Sequence, residues 1–328
     1  MLPTNVSNSA PKVCVVIVNW NGGEFLQQCI ADLAKQTYQA HEIILLDNAS
    51  SDGSAEKACA LYPQVRLVHA GSNLGFAAGN NLAVKLANPE CEWIALLNPD
   101  AFPDVNWLKC LVDAAVAKPN YAIFGSRLVD ATDRTRLDGT GDVYHISGLV
   151  WRENHGKNAS APMLEAREIF TCCAAAGLYR RDVFEQLGGF DEHYFCYLED
   201  IDLGFRYRLR GHGAWYAADS IAYHVGSALT GKRSDFSIYY GHRNLVWAFV
   251  KNMPGYLFFV LLPLHIALNI FTLFYFTLRG QGKTIWRAKV DAIKELPRVW
   301  QQRRLEQRLR TVTPLDIWRV LTIRGRKR

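Results

Sequence analysis

Residues 13–54 read VCVVIVNWNGGEFLQQCIADLAKQTYQAHEIILLDNASSDGS, and the punctuation of this stretch decides the fold. An apolar, β-branched run at 13–18 stops at Asn19-Trp20-Asn21-Gly22. Phe25, Ile30 and Leu33 follow at near-helical spacing, and a second apolar run at 42–46 stops at Asp47 and a Ser/Asp/Gly turn. That is a strand, a crossover helix and a second strand, the unit that joins parallel strands. It recurs, with strands predicted at 66–69 and 93–97. Helices are marked first by Ala55, Ala58, Cys59 and Tyr62, then by Ala78, Leu82, Val84 and Leu86. An α/β chain with a mainly parallel sheet flanked by helices is expected. A further helix is predicted at 182–187 and a short strand at 214–216. Residues 120–165, rich in Gly, Asp, Thr and Arg without a period, read as irregular strands and loops over one side of the site.

The composition, 328 residues with 49% hydrophobic and 21% charged, excludes a disordered or collagen-like chain. The net charge of +6 is unevenly placed: residues 279–328 hold 15 Lys/Arg against 4 Asp/Glu, so the basicity lies in the tail. Eight cysteines show neither CxxC nor zinc-ligand spacing, and Cys172 adjoins Cys173, which reads as reduced cytosolic thiols. The opening MLPTNVSNSAPK lacks the basic start and long apolar run of a secretory signal. Residues 252–278 carry no Asp, Glu, Lys or Arg over 27 positions, longer than the ~20 a spanning helix needs, although Pro263, His265 and Asn269 interrupt them.

In such sheets ligands bind beyond the carboxyl ends of the strands, so the turns there carry the chemistry. The first turn, Asn19 to Gly23, is not G-x-G-x-x-G, which argues against a nicotinamide dinucleotide. Asp47 reads as a helix N-cap or as a ligand-facing acceptor. Asn98-Pro99-Asp100 reads as a strand-ending turn or as a carboxylate for Mg²⁺ or Mn²⁺ shared with phosphates. In Tyr197-Leu198-Glu199-Asp200-Ile201-Asp202, acids opening a helix would suit its dipole. Glu199 and Asp200, being adjacent, are expected to divide, one supporting structure and the other facing a ligand as a general base. His224 is a satisfied core histidine or a ligand.

Taken together, six segments resemble the inverting glycosyltransferases of family 2: 15–22 (VVIVNWNG), 45–54 (LLDNASSDGS), 73–81 (NLGFAAGNN), 96–101 (LLNPDA), 188–210 (GGFDEHYFCYLEDIDLGFRYRLR) and 223–226 (YHVG). Within that family the chain looks most like the rhamnosyltransferase branch of bacterial surface polysaccharide synthesis. The resemblance implies a GT-A fold: a Rossmann-like mixed, mainly parallel sheet with a nucleotide-sugar-binding catalytic domain at 1–235 and a helical membrane-associating region at 236–328. It implies that Asn19 and Asp47 contact the base and ribose of the donor, and that Asn73 and Gly75 line the nucleotide pocket. Asn98 stands where the family's Asp-x-Asp metal motif has its first acid and Asp100 where it has its last. Asp200 is then the catalytic base with Glu199 beside it, His224 a metal or diphosphate contact, Arg243 a diphosphate partner, and Mg²⁺ or Mn²⁺ the cofactor.

The implied activity moves a sugar, L-rhamnose from dTDP-rhamnose in the leading reading, to a lipid-linked or polysaccharide acceptor in O-antigen or lipopolysaccharide synthesis. Another dTDP- or UDP-sugar such as UDP-galactofuranose, or a catalytically inactive nucleotide-sugar-binding scaffold, is the alternative. A cytosolic donor places the catalytic half in the cytoplasm. A single span at 254–278 would then send a basic tail across, against the positive-inside tendency. A peripheral or monotopic attachment to the cytoplasmic face of the inner membrane resolves the conflict, with Pro263 dividing the apolar stretch. Trp286, Val290, Ile293, Leu296 and Trp300 would then form one face of a basic helix, kinked at Pro297, on anionic lipid. The same apolar neighbourhood makes lipid rather than nucleic acid the expected anion.

Overall fold

The structure, a computed structural model, describes residues 10–160, 164–226 and 234–325. The reading of the N-terminus falls mostly on the first nine residues and lies outside the described ones. The chain alternates β1 (Val13–Asn19), α1 (Gly23–Leu33), β2 (Glu42–Asp47), α2 (Ser54–Leu61), β3 (Arg66–His69), α3 (Gly75–Leu86) and β4 (Trp93–Leu97). It continues through β5 (Ala101–Pro103), α4 (Trp107–Ala117), β6 (Tyr121–Asp130), β7 (Leu137–Gly139), β8 (Asp142–Tyr144), β9 (Val150–Arg152), β10 (Arg167–Ile169) and β11 (Ala176–Arg180). The last part is α5 (Arg181–Gln186), α6 (Glu199–Leu209), β12 (Gly213–His224), α7 (Asp235–Asn252), α8 (Gly255–Phe276), α9 (Gly282–Lys294), α10 (Leu296–Leu309) and α11 (Pro314–Val320).

The main sheet runs β10-β12-β6-β11-β4-β1-β2-β3, with β5 on β12 and β7 on β6. β4, β1, β2 and β3 are parallel, β11 is antiparallel to both its neighbours, and β12 returns parallel to β6. Alternation along β1 explains the layers. Val13, Val15 and Ile17 face a core with α1, α2 and α4, while Cys14 and Val16 face a second core with α3, α5 and α6. All eight cysteines are free thiols.

Two expectations for the second half are corrected. Residues 121–130 are not irregular: β6 is a ten-residue strand inside the sheet. Its period is hidden by Gly125, where a Cβ would come within 2.4 Å of Cys172 Cβ, and by Ser126, which is buried and hydrogen-bonded to Trp107 Nε1 at 2.8 Å. The short strand at 214–216 is the start of β12, which runs twelve residues to His224 through an irregularity after Ala217.

The C-terminal helices share a third core with α6. Ile201, Phe205 and Leu209 of α6 pack with Trp247, Phe249, Leu257, Leu261, Ala292, Val299 and Ile317. Lys251 of α7 bridges Asp191 and Asp202 at 2.9 Å each, Asn252 donates to Asp202 at 2.8 Å, and Arg210 pairs with Glu306 at 2.8 Å.

Residues 255–294 are the one stretch among the described residues long and apolar enough to cross a membrane. Pro263 does not divide it: α8 continues through the proline for 22 residues. A proline forfeits one intrahelical hydrogen bond, and this one sits on the exposed side, away from the packed stripe. That stripe is Leu257, Phe258, Leu261, His265 and Thr272, while Phe259, Ile266, Ile270, Phe271 and Phe274 point outward. His265 and Asn269, which look out of place in an apolar run, dock the helix. His265 Nδ1 donates to the Ser147 carbonyl at 2.8 Å and its ring stacks on Phe249 at 4.0 Å, while Asn269 Oδ1 accepts from Lys289. The basic helix expected beyond it is two helices, α9 and α10, separated at Glu295 with Pro297 in the first turn of the second.

Candidate active site

Four strand ends supply the polar turns. Asn19, at the end of β1, has no exposed surface. Its Nδ2 lies 3.0 Å from both Ser50 Oγ and Ser54 Oγ, and its Oδ1 accepts from the Gly22 N–H at 3.1 Å. Asp47, one strand over, accepts from the Ser50 N–H at 3.2 Å. Both therefore tie the first two loops together from beneath. The neighbouring Asn48, which sequence reasoning passed over, holds the third loop: its Nδ2 donates to Asn73 Oδ1 and the Gly75 carbonyl, each at 3.1 Å, and its Oδ1 accepts from the Leu74 N–H at 2.9 Å. Gly75 has a left-handed φ of 79°, and a Cβ there would meet the Phe195 ring at 2.5 Å, so no other residue fits.

Above these loops lies a cavity of about 300 Å³ lined by Trp20, Asn48, Asn73, Gly75, Phe76, Asn98, Asp100, Arg152 and His224. A second, of about 460 Å³, is lined by Asp142, Glu199, Asp200, Cys173 and residues of α7. Phe76, Asn98, Arg152, Cys196 and Tyr197 line both, so the two form one bipartite site. The wall between them is backbone under strain. Phe195, Tyr197 and Leu198 all take positive φ, at 63°, 68° and 64°, a region non-glycine residues seldom occupy. Asn244 secures it, its Nδ2 lying 2.7 to 3.1 Å from the carbonyls of Tyr194, Cys196 and Tyr197. Arg243 lines neither cavity: it donates to the His193 and Tyr194 carbonyls at 2.9 and 3.1 Å and stacks on Trp247.

At the first cavity, β5 pairs with β12 so that His224 sits opposite Ala101, next to Asp100. His224 Nε2 is 3.4 Å from Asp100 Oδ1, and His224 Nδ1 is 2.7 Å from Asp138 Oδ2. Burial would lower the pKa of this imidazole, but the hydrogen bonds and charges of Asp100 and Asp138 overcome it and raise the value to about 9. Asp138 also pairs with Arg152. No cluster of three or more His, Cys, Asp or Glu side chains suited to a metal occurs among the described residues. Once it loses the Nε2 proton, the His224 imidazole, its Nδ1 fixed by Asp138, would join the Asp100 carboxylate as a donor set that fits a hard divalent cation completed by phosphate oxygens. Asp100 and His224 would hold it, and its charge would offset that of a departing diphosphate.

At the second cavity, Glu199 and Asp200 open α6, yet they do not divide as expected: both line the cavity. The division falls elsewhere in the motif, between these two and the buried Asp191 and Asp202, which are paired with Lys251. Asp200 accepts from the Ala174 N–H at 3.3 Å; burial raises its pKa, opposed by that N–H and by Arg152. Glu199 Oε2 has no hydrogen-bond partner, and burial followed by the charge of Asp200 lifts its carboxyl well above the usual range. Asp142, likewise raised by burial and by Asp200, completes a group of three carboxyls. A partly exposed carboxylate of raised basicity in a cavity is equipped to take a proton from a hydroxyl. Asp138, Asp142 and Arg152 were not anticipated, because they lie in the aperiodic stretch between β6 and β10.

Residues 14–188 match the profile of glycosyl transferase family 2. The chain belongs to that family. This family 2 glycosyltransferase is 30% identical over 237 residues to the N-acetylglucosaminyl-diphospho-decaprenol L-rhamnosyltransferase of Mycobacterium tuberculosis, covering 66% of this chain and 77% of that protein. It is 27% identical over 218 residues to the O-antigen chain rhamnosyltransferase of Salmonella anatum, covering 65% and 66%. The family 2 enzyme also superposes on a mannosyltransferase from Pyrobaculum calidifontis in complex with GDP-Man and Mn²⁺, with a TM-score of 0.54, 17% identity, and 93% and 88% of the two chains covered. The fold is therefore GT-A, and the Mycobacterium and Salmonella relatives are rhamnosyltransferases by name.

Proposed function

We propose that this enzyme transfers L-rhamnose from dTDP-rhamnose to a lipid-linked acceptor in bacterial cell-surface glycan synthesis, inverting the anomeric centre. The observation that carries the reading is the bipartite site, with Asp100 and His224 on one side of the Tyr197 wall and Asp200 on the other. The nucleoside diphosphate occupies the smaller cavity, between Trp20, Asn73 and Gly75, and the acceptor the larger. Asn19 and Asp47 act on the donor through the loops they hold, and Arg243 acts through the wall. Asp200 takes the proton of the acceptor hydroxyl as its oxygen bonds to the anomeric carbon. The bond from that carbon to the diphosphate oxygen breaks on the opposite face, and the leaving charge is received beside Arg152 and the Asp100–His224 pair; Mg²⁺ or Mn²⁺, held by Asp100 and His224, would offset that charge. The names of the relatives favour rhamnose and a lipid diphosphate acceptor over UDP-galactofuranose.

The organisation that goes with this activity is a catalytic domain at 1–235 and a helical membrane-associating region at 236–328, bound to the cytoplasmic face without crossing. A helix with one stripe docked through His265 and Asn269 and an apolar outer face suits the membrane interface, and Lys283, Arg287 and Lys294 suit anionic headgroups. A thermal-shift screen of nucleotide sugars with Mg²⁺ or Mn²⁺, followed by a turnover assay on the hits, tests the donor. The largest stabilisation with turnover is expected from dTDP-rhamnose. A larger shift with UDP-galactofuranose would replace that donor, and binding without turnover of any donor would make the protein a scaffold.

A further inference from the structure

The hairpin of β8 and β9 is a wall between two spaces. Strand alternation turns Val150 and Arg152 towards the carboxyl-lined cavity and Trp151 the other way, into an apolar groove of about 300 Å³. The far side of that groove is α8, through Leu264, Ala267, Leu268 and Phe271. Leu149, at the turn of the hairpin, lines the groove and the carboxyl cavity alike. The walls are fixed relative to each other, since His265 of α8 donates to the Ser147 carbonyl at 2.8 Å and a Cβ on Gly148 would meet His265 Nδ1 at 2.6 Å.

We infer that this groove receives the apolar chain of the acceptor, whose head passes over Leu149 to reach Asp200. The inference rests on the reading above that the acceptor is lipid-linked. Leu264 and Phe271 belong to the groove and also to the exposed outer face of α8, so a chain can enter from the bilayer side without crossing water. At Leu149 the groove adjoins the cavity that the carboxylates line, which distinguishes an acceptor chain from a bulk lipid chain, for which that continuation has no use.

The test compares two acceptors in detergent micelles: N-acetylglucosaminyl diphosphate on a decaprenyl chain, and the same head on a single isoprene unit. The full-length enzyme is compared with Ala267→Trp, which sets an indole into the groove from an exposed helical position, and with Ala267→Ser, which leaves the groove open. The wild type and Ala267→Ser are expected to show a KM for the long-chain acceptor lower by roughly tenfold or more, the factor that burial of about two methylenes supplies. Ala267→Trp is expected to lose that advantage while keeping kcat, its KM for the short acceptor and its binding to anionic vesicles. Equal KM values for the two acceptors in the wild type, an unchanged long-chain KM in Ala267→Trp, or a parallel loss of vesicle binding would overturn the groove while leaving the lipid-linked reading in place. Transfer to a soluble glycan but to neither lipid diphosphate would remove that reading and the groove with it.

Discussion

His224 Nδ1 and Asp138 Oδ2 stand 2.7 Å apart across 86 residues of sequence, and this contact aims the other imidazole nitrogen at Asp100. A carboxylate behind a ligand histidine fixes its tautomer and raises its basicity as a ligand. Activity is accordingly expected to be lost in excess chelator and restored by Mn²⁺ or Mg²⁺. Asp138→Asn should raise the metal concentration for half-maximal activity by roughly 10- to 100-fold. Full activity in chelator would leave Asp100 and His224 as metal-independent contacts.

The acid limb of the rate profile should belong to Asp200. A general base works only when ionised, so kcat/KM should fall as pH drops through its pKa, and burial places that pKa above the ordinary aspartate value of about 3.9. A pH titration of kcat/KM checks this; an acid limb at or below the ordinary value would contradict it.

Lys251, Asp191 and Asp202 make the stability of the fold depend on acid. Burial opposes ionisation of both carboxyls, yet Lys251 and, for Asp202, Arg206 hold them below the usual range. The unfolded chain therefore binds more protons in acid. The stabilisation is complete above the unfolded value of about 4 and is lost as pH falls towards the folded values. Lys251→Met should cost about 3 to 5 kcal/mol at neutral pH, the effect of removing one partner from buried charges. It should also flatten the decline of stability below about pH 5. Urea unfolding at a series of pH values measures both, and a variant as stable as the wild type would show the network to be ornamental.

Membrane attachment should reside in side chains that the fold does not use. Truncation before Gly255 is a poor probe, because Leu257, Ala292 and Val299 belong to a core shared with α6. Replacing Phe259, Ile270 and Phe274 together by Ser is expected to weaken binding to anionic vesicles by roughly tenfold or more without lowering the melting temperature, since these residues are outward-facing. In sealed inverted vesicles, cysteines introduced near Lys12 and near Arg324 should label from the same side. Labelling from opposite sides would mean that α8 crosses.

The parallel core of the sheet was legible because β1, β2 and β4 are largely buried runs closed by polar turns, and those turns carry the family's motifs. What escaped was whatever depends on partners far apart in sequence. Asp138, Asp142 and Arg152 sit in short strands whose polar faces have no period, and only the pairing of β7 with β6 and of β6 with β12 brings Asp138 to His224. The tail misled differently. Lys289 and Arg303 count among the basic residues of the tail, but Lys289 Nζ is buried against the His242 carbonyl at 3.0 Å and Arg303 against the Val250 carbonyl at 2.8 Å. A charge pattern does not reveal which cations are satisfied by backbone.

The central claim is that Asp200 is the base of an inverting sugar transfer. The most direct measurement is turnover of dTDP-rhamnose by the full-length enzyme and by Asp200→Asn with the lipid-linked N-acetylglucosaminyl acceptor, alongside the donor Kd of each. Turnover is expected to fall by ~10² to 10⁴ with the donor Kd nearly unchanged, as when a positioned base is removed. Near-normal turnover by a folded Asp200→Asn protein would contradict the account.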